Sequence, residues 1–465
     1  MIENDAFKLL LINLFHLNPD DIANILCTTF NKMMVLLVTL TDKHQACPYC
    51  GFTAPKIKEY VTKEITHSAL TTQKCIIKYR ARRYKCSCCG KTYYEFNPFV
   101  FKSQKISILT VHNILKDLKD FNETFTSVAR RYHVSPTSVS TIFDNHVDIA
   151  RNKLPEIINF DEVYAFKSEK SKYVCVLLDF KKQIPVDVLP NRKKEFLLNY
   201  FQKIPLEERK KVKYACSDMY EVYRDVVHKV FPSCCMLLDY FHLSQDFHRK
   251  MNEVRIKVMK GYKDNKASDE YYLLKKFNWL LFKNPEDEDK YGRLFDVERE
   301  RKYNSHFKSY MNYYDLRKKL LEINNDLTIC YSLKLELVDF YSKSTVDNAK
   351  ENLENLIRSC IDTNIDEMIA FSNNLINWKQ EIINSFTIVG TEYKVEADKG
   401  QVVVCNKKVN NAIIENRNKI IKCIKNNANG YTNWSRFRNR VMYVLDPNAT
   451  FSLEPREKQS WMHKT

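Results

Sequence analysis

Residues 157–247 change repeatedly between short continuous apolar runs and stretches in which apolar residues have helical spacing. Short apolar runs bounded by polar residues are typical of buried strands, and apolar positions three or four residues apart are typical of helices. The order is three hairpin-like strands, then helix, strand, helix and strand, which predicts an α/β domain built on one sheet. The strands are predicted at 158–166, 172–180, 184–190, 212–218 and 234–242, and the first helix at 193–204.

The flanking segments have other patterns and predict a multidomain chain. Residues 251–400 are mostly helical in pattern and rich in Tyr, Lys and Leu. The predicted units in chain order are short amphipathic helices with a strand (1–45), a compact unit bracketed by cysteine pairs (46–105), a helical unit (106–150), the first part of the α/β core (157–250), an α-helical insertion (251–400), the last part of the core (401–445) and a polar tail (446–465).

Composition and charge narrow the class of protein. Hydrophobic residues make up 44% of the chain, as in a folded protein, and its 15 cysteines in a reducing compartment indicate thiols or metal ligands. The net charge of +17 favours a polyanionic partner, because phosphates neutralised by Lys or Arg release counterions; a merely soluble basic protein is the alternative.

The longest apolar run (33–40) is too short to span a bilayer, and MIENDAF lacks the basic region of a signal peptide. We therefore expect a cytoplasmic protein.

Two cysteine pairs with the same spacing predict a structural zinc site. CPYCG at 47–51 and CSCCG at 86–90 each place two residues between cysteines, which lets both thiolates reach one tetrahedral Zn²⁺. The glycine after each pair suits a tight turn, and this register leaves out Cys88. Four buried structural cysteines are the alternative. The predicted ligands are Cys47, Cys50, Cys86 and Cys89.

The stretch ETFTSVARRYHVSPTSVSTIF at 123–143 predicts a helix-turn-helix. Ala129 is small enough for two helices to pack closely, HVS forms the turn, and Ser135 with Pro136 begins the second helix. The exposed start of that helix is where a recognition helix reads base edges in the major groove. An ordinary helical hairpin is the alternative, but the neighbouring basic cysteine unit favours DNA binding. The residues expected to face the bases are Thr137, Ser138 and Thr141.

Two aspartates of the α/β segment are expected to meet. The strand and helix order is that of an RNase H-like domain, in which the first strand is central and the fourth lies beside it. Asp161 is on the first strand and Asp218 ends the fourth. Such carboxylates repel one another unless a cation neutralises them, and oxygen ligands suit Mg²⁺. A pair of such ions activates a water or a 3′-hydroxyl for attack on a phosphodiester.

A third acid is predicted on a basic helix near the C-terminus. From Lys407 to Arg440 the chain has nine Lys or Arg residues and one carboxylate, Glu415. On a helix, Glu415 falls opposite an isoleucine stripe, on a polar face that suits a metal ligand flanked by phosphate-binding groups. Arg417 lies inside the stripe without an evident reason, and a simple helix pairing of Glu415 with Lys419 is the alternative. The stripe is Ile413, Ile414, Ile420, Ile421 and Ile424, and the polar face is Asn411, Glu415, Asn418 and Lys422.

In this order the motifs resemble the ISL3 family of bacterial insertion-sequence transposases, which are DDE enzymes. The resemblance covers most of the chain and departs from the family at Asn410-Asn411 and Asn416, where Asn-Gly and Gly are usual. The matching stretches are CPYCG…RRYKCSCCGK, the helix-turn-helix, FDE at 160–162, SDMYEVY at 217–223, DYFHL at 239–243, IENRNKIIK, and the closing motif with Gly430, Tyr431, Phe437 and Arg440.

The resemblance implies a transposase with a zinc ribbon, a helix-turn-helix and an RNase H-like core interrupted by an α-helical insertion. It also implies Mg²⁺ or Mn²⁺ at the active site and Zn²⁺ in the ribbon. The implied catalytic, metal-binding triad is Asp161, Asp218 and Glu415, and the alternatives for the third acid are Glu392, Glu396 and Asp398. Three further residues match family positions: Glu162, Asp239 and His242. They are expected to orient ligands and substrate, and ordinary sheet-edge and capping roles are the alternative.

The implied partners are double-stranded DNA, as terminal inverted repeats and target, and further copies of the chain in a homodimer or larger assembly. Three alternatives remain: a structure-selective nuclease or resolvase, a catalytically silent DNA-binding regulator, and an RNA-binding zinc protein. Site-specific binding to inverted repeats would favour the transposase. Besides the three residues on the predicted recognition helix, further basic and polar residues are expected to contact DNA. They are Arg82, Arg83, Lys85, Lys91, Arg130, Arg131, Asn418, Lys419 and Lys422.

Overall fold

The computed structural model describes residues 2–456 apart from 44, 54, 69, 71, 102–103, 167–171 and 396–401; the side chains of 2–5, 392–395 and 402–405 also lie outside the description. Within these limits the chain is a mixed α/β protein with several sheets. None of the helices described is long and apolar enough to cross a membrane.

The N-terminal unit is a sheet with one helix. Its elements are α1 (Ile2–Leu14), β1 (Ile22–Phe30), β2 (Met33–Leu40), β3 (Lys56–Thr66), β4 (Cys75–Lys85) and β5 (Thr92–Tyr94). The strand order is β1-β2-β4-β3, with β5 paired to β4. Asn31 and Lys32 turn β1 into β2 at φ 50° and 61°, the left-handed conformation of a two-residue hairpin turn. β2 is hydrogen-bonded to β1 on one edge and to β4 on the other. The segments 1–45 and 46–105, which were predicted as separate units, therefore share one sheet.

Three short helices form in the segment where the helix-turn-helix is predicted. Its helices are α2 (Ile108–Asp117), α3 (Phe125–Arg131) and α4 (Pro136–His146). Ser135 caps α4, because its hydroxyl accepts a hydrogen bond from the backbone N–H of Ser138 at 3.0 Å, and Pro136 is the first residue of the helix. Val128 and Ala129 of α3 and Val139 of α4 are buried in a small apolar core between the helices.

The central sheet has the predicted strand order. Its elements are β6 (Ile157–Val163), β7 (Val174–Asp179), β8 (Pro185–Leu189), α5 (Lys194–Gln202), α6 (Leu206–Arg209), β9 (Tyr214–Ser217), α7 (Glu221–Val230) and β10 (Cys235–Leu238). The order across the sheet is β10-β9-β6-β7-β8. β6, β7 and β8 are antiparallel, whereas β6, β9 and β10 are parallel. The first strand, β6, is therefore central and β9 is its parallel neighbour.

The insertion contains short hairpins as well as the predicted helices. Its elements are α8 (Tyr240–Lys260), which begins in the core, α9 (Asp269–Lys276), β11 (Glu288–Asp289), β12 (Gly292–Arg293), β13 (Lys302–Asn304), β14 (Ser309–Met311), α10 (Tyr313–Glu322), α11 (Asn325–Lys343), α12 (Ala349–Asp362), α13 (Asp366–Asn377), α14 (Lys379–Asn384), β15 (Ile388–Val395) and β16 (Val402–Lys408). The helices share an apolar core that reaches Leu238 at the end of β10. The insertion is thus packed onto the edge of the central sheet.

Two C-terminal helices, α15 (Ala412–Asn427) and α16 (Trp434–Leu445), cover one face of the central sheet. Ile414, Ile421 and Phe437 pack there against Val174 and Val176 of β7. The opposite face packs against α5 and α7. Because side chains alternate along a strand, β6 presents Phe160 to one layer of helices and Asp161 to the other.

Candidate active site

Three aspartates lie near the carboxyl ends of three neighbouring strands: one is inside β6, and the other two directly follow β9 and β10. In the parallel register, Asn159 of β6 and Leu237 of β10 both lie opposite Cys216 of β9. Each aspartate lies two residues beyond one of these three aligned residues. Parallel strands end at the same edge of a sheet, so the three carboxyl groups form a row there. The row consists of Asp161, Asp218 and Asp239. The sequence predicted the first two as a pair and gave the third an orienting or capping role.

Burial makes negative charge costly in this row. Asp161 is only 8% exposed; burial raises its pKa to about 7, and the charge of Asp218 adds to the shift. Burial also raises the pKa of Asp218 and of Asp239, while His242 acts to lower both. Within the described chain, Asp218 Oδ1, Asp239 Oδ2 and His242 Nε2 are buried and have no hydrogen-bond partner. Buried polar atoms are normally paired, so these atoms fit a bound cation.

Glu415 lies beside Asp239 and His242. One ligand atom from each of these three side chains lies within 4.8 Å of the other two, a spacing that one metal ion can bridge. His242 Nε2 is 3.9 Å from Asp239 Oδ2. Burial is the main cause that raises the pKa of Asp239, and the charge of Glu415 also contributes. Among the described residues Asp161 and Asp218 are not members of this close group, so Glu415 stands at the Asp239 end of the row.

Asparagines hold α15 against β6. Asn159 Nδ2 on β6 donates to Asn410 O at 2.8 Å and to Asn411 Oδ1 at 2.6 Å, just before the helix begins. Asn411 Nδ2 donates in turn to Phe160 O at 3.3 Å. These contacts fix the start of the helix that carries Glu415. Nothing in the sequence indicated these contacts beyond the departure from the family pattern at Asn410-Asn411.

The predicted division of α15 into an apolar face and a polar face is wrong at Asn418. It lies four residues after Ile414 and three before Ile421, so helical spacing puts it beside these isoleucines. It is 5% exposed, and its Nδ2 donates to Asp161 Oδ2 at 2.7 Å. Asn418 was expected to contact DNA; its amide instead orients an acid of the row. Arg417, unexplained by the sequence, donates from Nε to Gln183 O at 3.2 Å.

The side chain of Glu162 is held by an arginine. Its carboxylate forms an ion pair with Arg192, whose guanidinium lies over the rings of Tyr173 and Tyr220 at 4.5 and 4.6 Å. Burial raises the pKa of Glu162, and the hydrogen bond from Arg192 opposes that shift. The alternatives for the third acid lie outside the residues that the structure describes. This applies to the whole of Glu396 and Asp398 and to the side chain of Glu392.

The four predicted cysteines come together in the N-terminal unit. Cys47, Cys50, Cys86 and Cys89 have all their sulfur atoms within 4.8 Å of one another, while Cys88 is exposed and outside the group. Gly51 and Gly90, which follow the two cysteine pairs, have φ 75° and 72°. Residues with a side chain rarely adopt this backbone conformation. Backbone hydrogen bonds, first from Cys89, lower the pKa of Cys86 to about 7. Four sulfur ligands at this spacing suit a tetrahedral Zn²⁺.

The basic residues of the N-terminal sheet and the helix-turn-helix differ in their freedom to reach DNA. Arg82 pairs with Glu95 at 2.7 Å, Arg83 pairs with Glu59 at 2.6 Å, and Arg131 pairs with two acids of its own unit. These three arginines are thus engaged within the fold. The predicted DNA-contacting residues with exposed side chains are Lys85, Lys91, Arg130, Thr137, Thr141, Lys419 and Lys422, while Ser138 is half-buried.

An acid row at the end of a mixed sheet, with a four-cysteine cluster earlier in the chain, is the layout of the DDE transposase class. The ISL3 family profile, described as a transposase, matches residues 158–397, more than half of the chain. The chain belongs to this family. It is also similar to the transposase for insertion sequence element IS1001 from Bordetella parapertussis, with 19% identity over 418 residues that cover 88% of this chain and 91% of the relative. The family match includes the three aspartates and ends before Glu415.

Proposed function

We propose that this transposase cleaves the ends of its own insertion sequence and joins them to target DNA through Asp161, Asp218 and Glu415, with Mg²⁺ or Mn²⁺. The observation that carries the proposal is the row of acids in register, in which Asp218 Oδ1 and Asp239 Oδ2 are buried and have no hydrogen-bond partner among the described residues. Burial leaves these carboxyl groups costly to ionise without a cation, and hard divalent cations prefer oxygen ligands. Asp239 and His242 join the ligand set, because they lie within bridging distance of Glu415.

The surrounding residues keep the carboxylates ready for this role. Asp161 accepts a hydrogen bond at each oxygen, from Asn418 Nδ2 at 2.7 Å and from the Glu162 backbone N–H at 2.7 Å, which fixes its plane. A bound divalent cation would neutralise the acids and stabilise the charge that develops on the attacking and leaving oxygens of a phosphodiester. The exposed Lys419 and Lys422, on the same helix as Glu415, are positioned to contact DNA phosphates beside the site.

DNA recognition is assigned to the N-terminal half. The cysteine cluster, with zinc bound, and the recognition helix α4 would hold the terminal inverted repeats. The exposed Thr137 and Thr141 on α4 and the exposed Lys85 and Lys91 beside the cysteines support this division. Joining two ends of one element requires two active sites, so we expect at least a homodimer in the complex with DNA.

The test is cleavage of DNA carrying the flanking inverted repeat, with Mg²⁺ or Mn²⁺, by wild type and by Asp161→Asn, Asp218→Asn and Glu415→Gln. Each variant is expected to bind the repeat normally and to cut at least about 100-fold more slowly, because metal coordination contributes several kcal/mol to the transition state. The matched control is Asp225→Asn, a surface acid of α7 paired with Lys194, which should cut like wild type.

Other outcomes discriminate the alternatives. Normal cleavage by Glu415→Gln would move the third acid elsewhere. Repeat binding by wild type with no cleavage under any metal would favour a catalytically silent regulator. Cleavage that follows branched DNA structure and ignores the repeat would favour a nuclease or resolvase.

A further inference from the structure

A cavity opens directly beside the Glu415 end of the acid row. It has a volume of about 550 Å³ and lies between the start of α8, the C-terminal part of α11 and the start of α15. This volume is within the range of about 300–1,000 Å³ typical of small-ligand sites. Asp239 and Glu415 both line the cavity, so a group inside it is a direct neighbour of the carboxylates.

Three aromatic residues, Tyr240, Phe241 and Tyr341, are among those that line the cavity, and Phe386 packs behind Tyr341. Tyr240 of α8 lies against Tyr341 of α11, with ring centroids 3.8 Å apart, and Tyr341 stacks on Phe386 at 5.3 Å. Lys408, which also lines the cavity, lies over the Phe386 ring at 4.5 Å. Phe241, in the first turn of α8, adds a ring that is 49% exposed to solvent. The lining therefore offers flat apolar faces together with one cation.

One residue of this lining is a buried acid. Asp239 is 4% exposed, and its Oδ2 has no hydrogen-bond partner among the described residues. The aromatic rings and the lysine thus adjoin the same carboxylate that faces Glu415. A ligand with a flat ring and an attached phosphate matches both parts at once, because its ring can stack while its phosphate stays beside the acid row and its cations.

We propose that this cavity receives one unpaired base of the DNA strand, the base next to the phosphodiester that is cut. The proposal rests on the proposed function of the acid row. Asp161 and Asp239 are nearly buried at the strand ends, so a regular duplex lying on the surface does not bring its backbone down to them. Moving one nucleotide out of the stack brings its phosphate inward, and stacking on aromatic rings repays part of the lost base stacking. Phe241 would stack on the base, and Lys408 would contact its backbone.

The test combines two protein variants with abasic DNA. Phe241→Ala removes the exposed ring without disturbing a core, and Ser342→Trp fills the cavity from its exposed rim on α11. Binding to repeat DNA is measured with Ca²⁺ in place of Mg²⁺, and cleavage is measured with Mg²⁺. The DNA series removes one base at a time across the cleavage position. Phe30→Ala, which truncates a phenylalanine 64% exposed at the end of β1, is the matched control.

The expected result is that Phe241→Ala weakens binding and cleavage roughly tenfold, the scale of one base–aromatic stack, while Phe30→Ala has no effect. At one position beside the cut, removing the base should cost wild type a similar factor and cost Phe241→Ala nothing further. Ser342→Trp should cut slowly on intact DNA and recover on DNA that lacks this base.

Two results would overturn the inference. In one, the losses from Phe241→Ala and from base removal multiply at every position; in the other, Ser342→Trp cuts intact DNA like wild type. If wild type cuts no repeat DNA at all, the proposed function of the acid row fails, which this design distinguishes from failure of the base pocket.

Discussion

Arg440→Met is expected to loosen the helix-turn-helix from the α/β core. Arg440 lies on α16 and is 1% exposed. Its Nη2 donates to the carbonyl oxygens of Asp120 and Glu123, both at 2.8 Å, in the connection between α2 and α3. Methionine keeps much of the volume of the arginine stem but cannot donate, so both carbonyl groups lose their bond from α16.

The size of the effect follows from these two bonds. A hydrogen bond that involves a charged group contributes about 1.5–3 kcal/mol, so the pair amounts to roughly 3–6 kcal/mol. Removing the guanidinium also removes the cost of burying its charge, which offsets part of the loss. The net destabilisation expected for the contact between α16 and the helix-turn-helix is about 2–4 kcal/mol.

The assay is hydrogen exchange of the backbone amides of residues 125–146, read by mass spectrometry. Since about 1.4 kcal/mol corresponds to a factor of ten, exchange in this unit should become about 30- to 1,000-fold faster. Arg417→Met is the matched control, because it removes one bond, to Gln183 O at 3.2 Å, from a helix on the same face of the sheet. The reasoning is refuted if residues 125–146 exchange no faster in Arg440→Met than in Arg417→Met.

Three other substitutions separate the metal, cleavage and DNA-reading parts of the chain. Cys89→Ser is expected to abolish zinc binding, measured by metal analysis of the purified protein, whereas Cys88→Ser should bind zinc like wild type, since its sulfur lies outside the group; equal loss would contradict the assignment. Asn418→Ala removes the 2.7 Å hydrogen bond to Asp161 and should slow cleavage about tenfold or more at unchanged repeat binding; unchanged cleavage would remove its positioning role. Thr141→Ala should weaken binding to the repeat by about 1–3 kcal/mol without changing affinity for unrelated DNA, and equal loss on both would indicate a backbone contact.

The positions of the first two acids were predictable because strand order determines which strand ends meet. Three hairpin-like strands followed by a helix and a fourth strand place that fourth strand beside the first, and Asp161 and Asp218 follow from it. The cysteine cluster was predictable for a similar reason, since its ligands are close in sequence within each pair. In both cases short-range spacing determines a long-range contact.

The role of Asn418 was not predicted, although its spacing from Ile414 was available in the sequence. A polar residue on a basic helix was expected to face solvent, but the buried Asp161 supplies a partner that makes its burial favourable. The hairpin of β15 and β16 was also missed, because the segment was interpreted as part of a helical insertion. Such features depend on tertiary partners that local pattern does not reveal.

Helix α16 connects α4 to the sheet that carries the acid row. On one side Arg436 pairs with Asp144 of α4 at 2.6 Å, and on the other Arg438 donates to Asp187 of β8 at 2.7 Å. The Tyr443 hydroxyl adds a bond to the backbone of α2 at 3.0 Å. These contacts leave α4 little freedom relative to the sheet. Under the proposed function, the distance from the bases read by α4 to the phosphodiester at the acids is therefore set within one chain. The cut is therefore expected at a constant number of base pairs from the recognised sequence, whatever the flanking DNA.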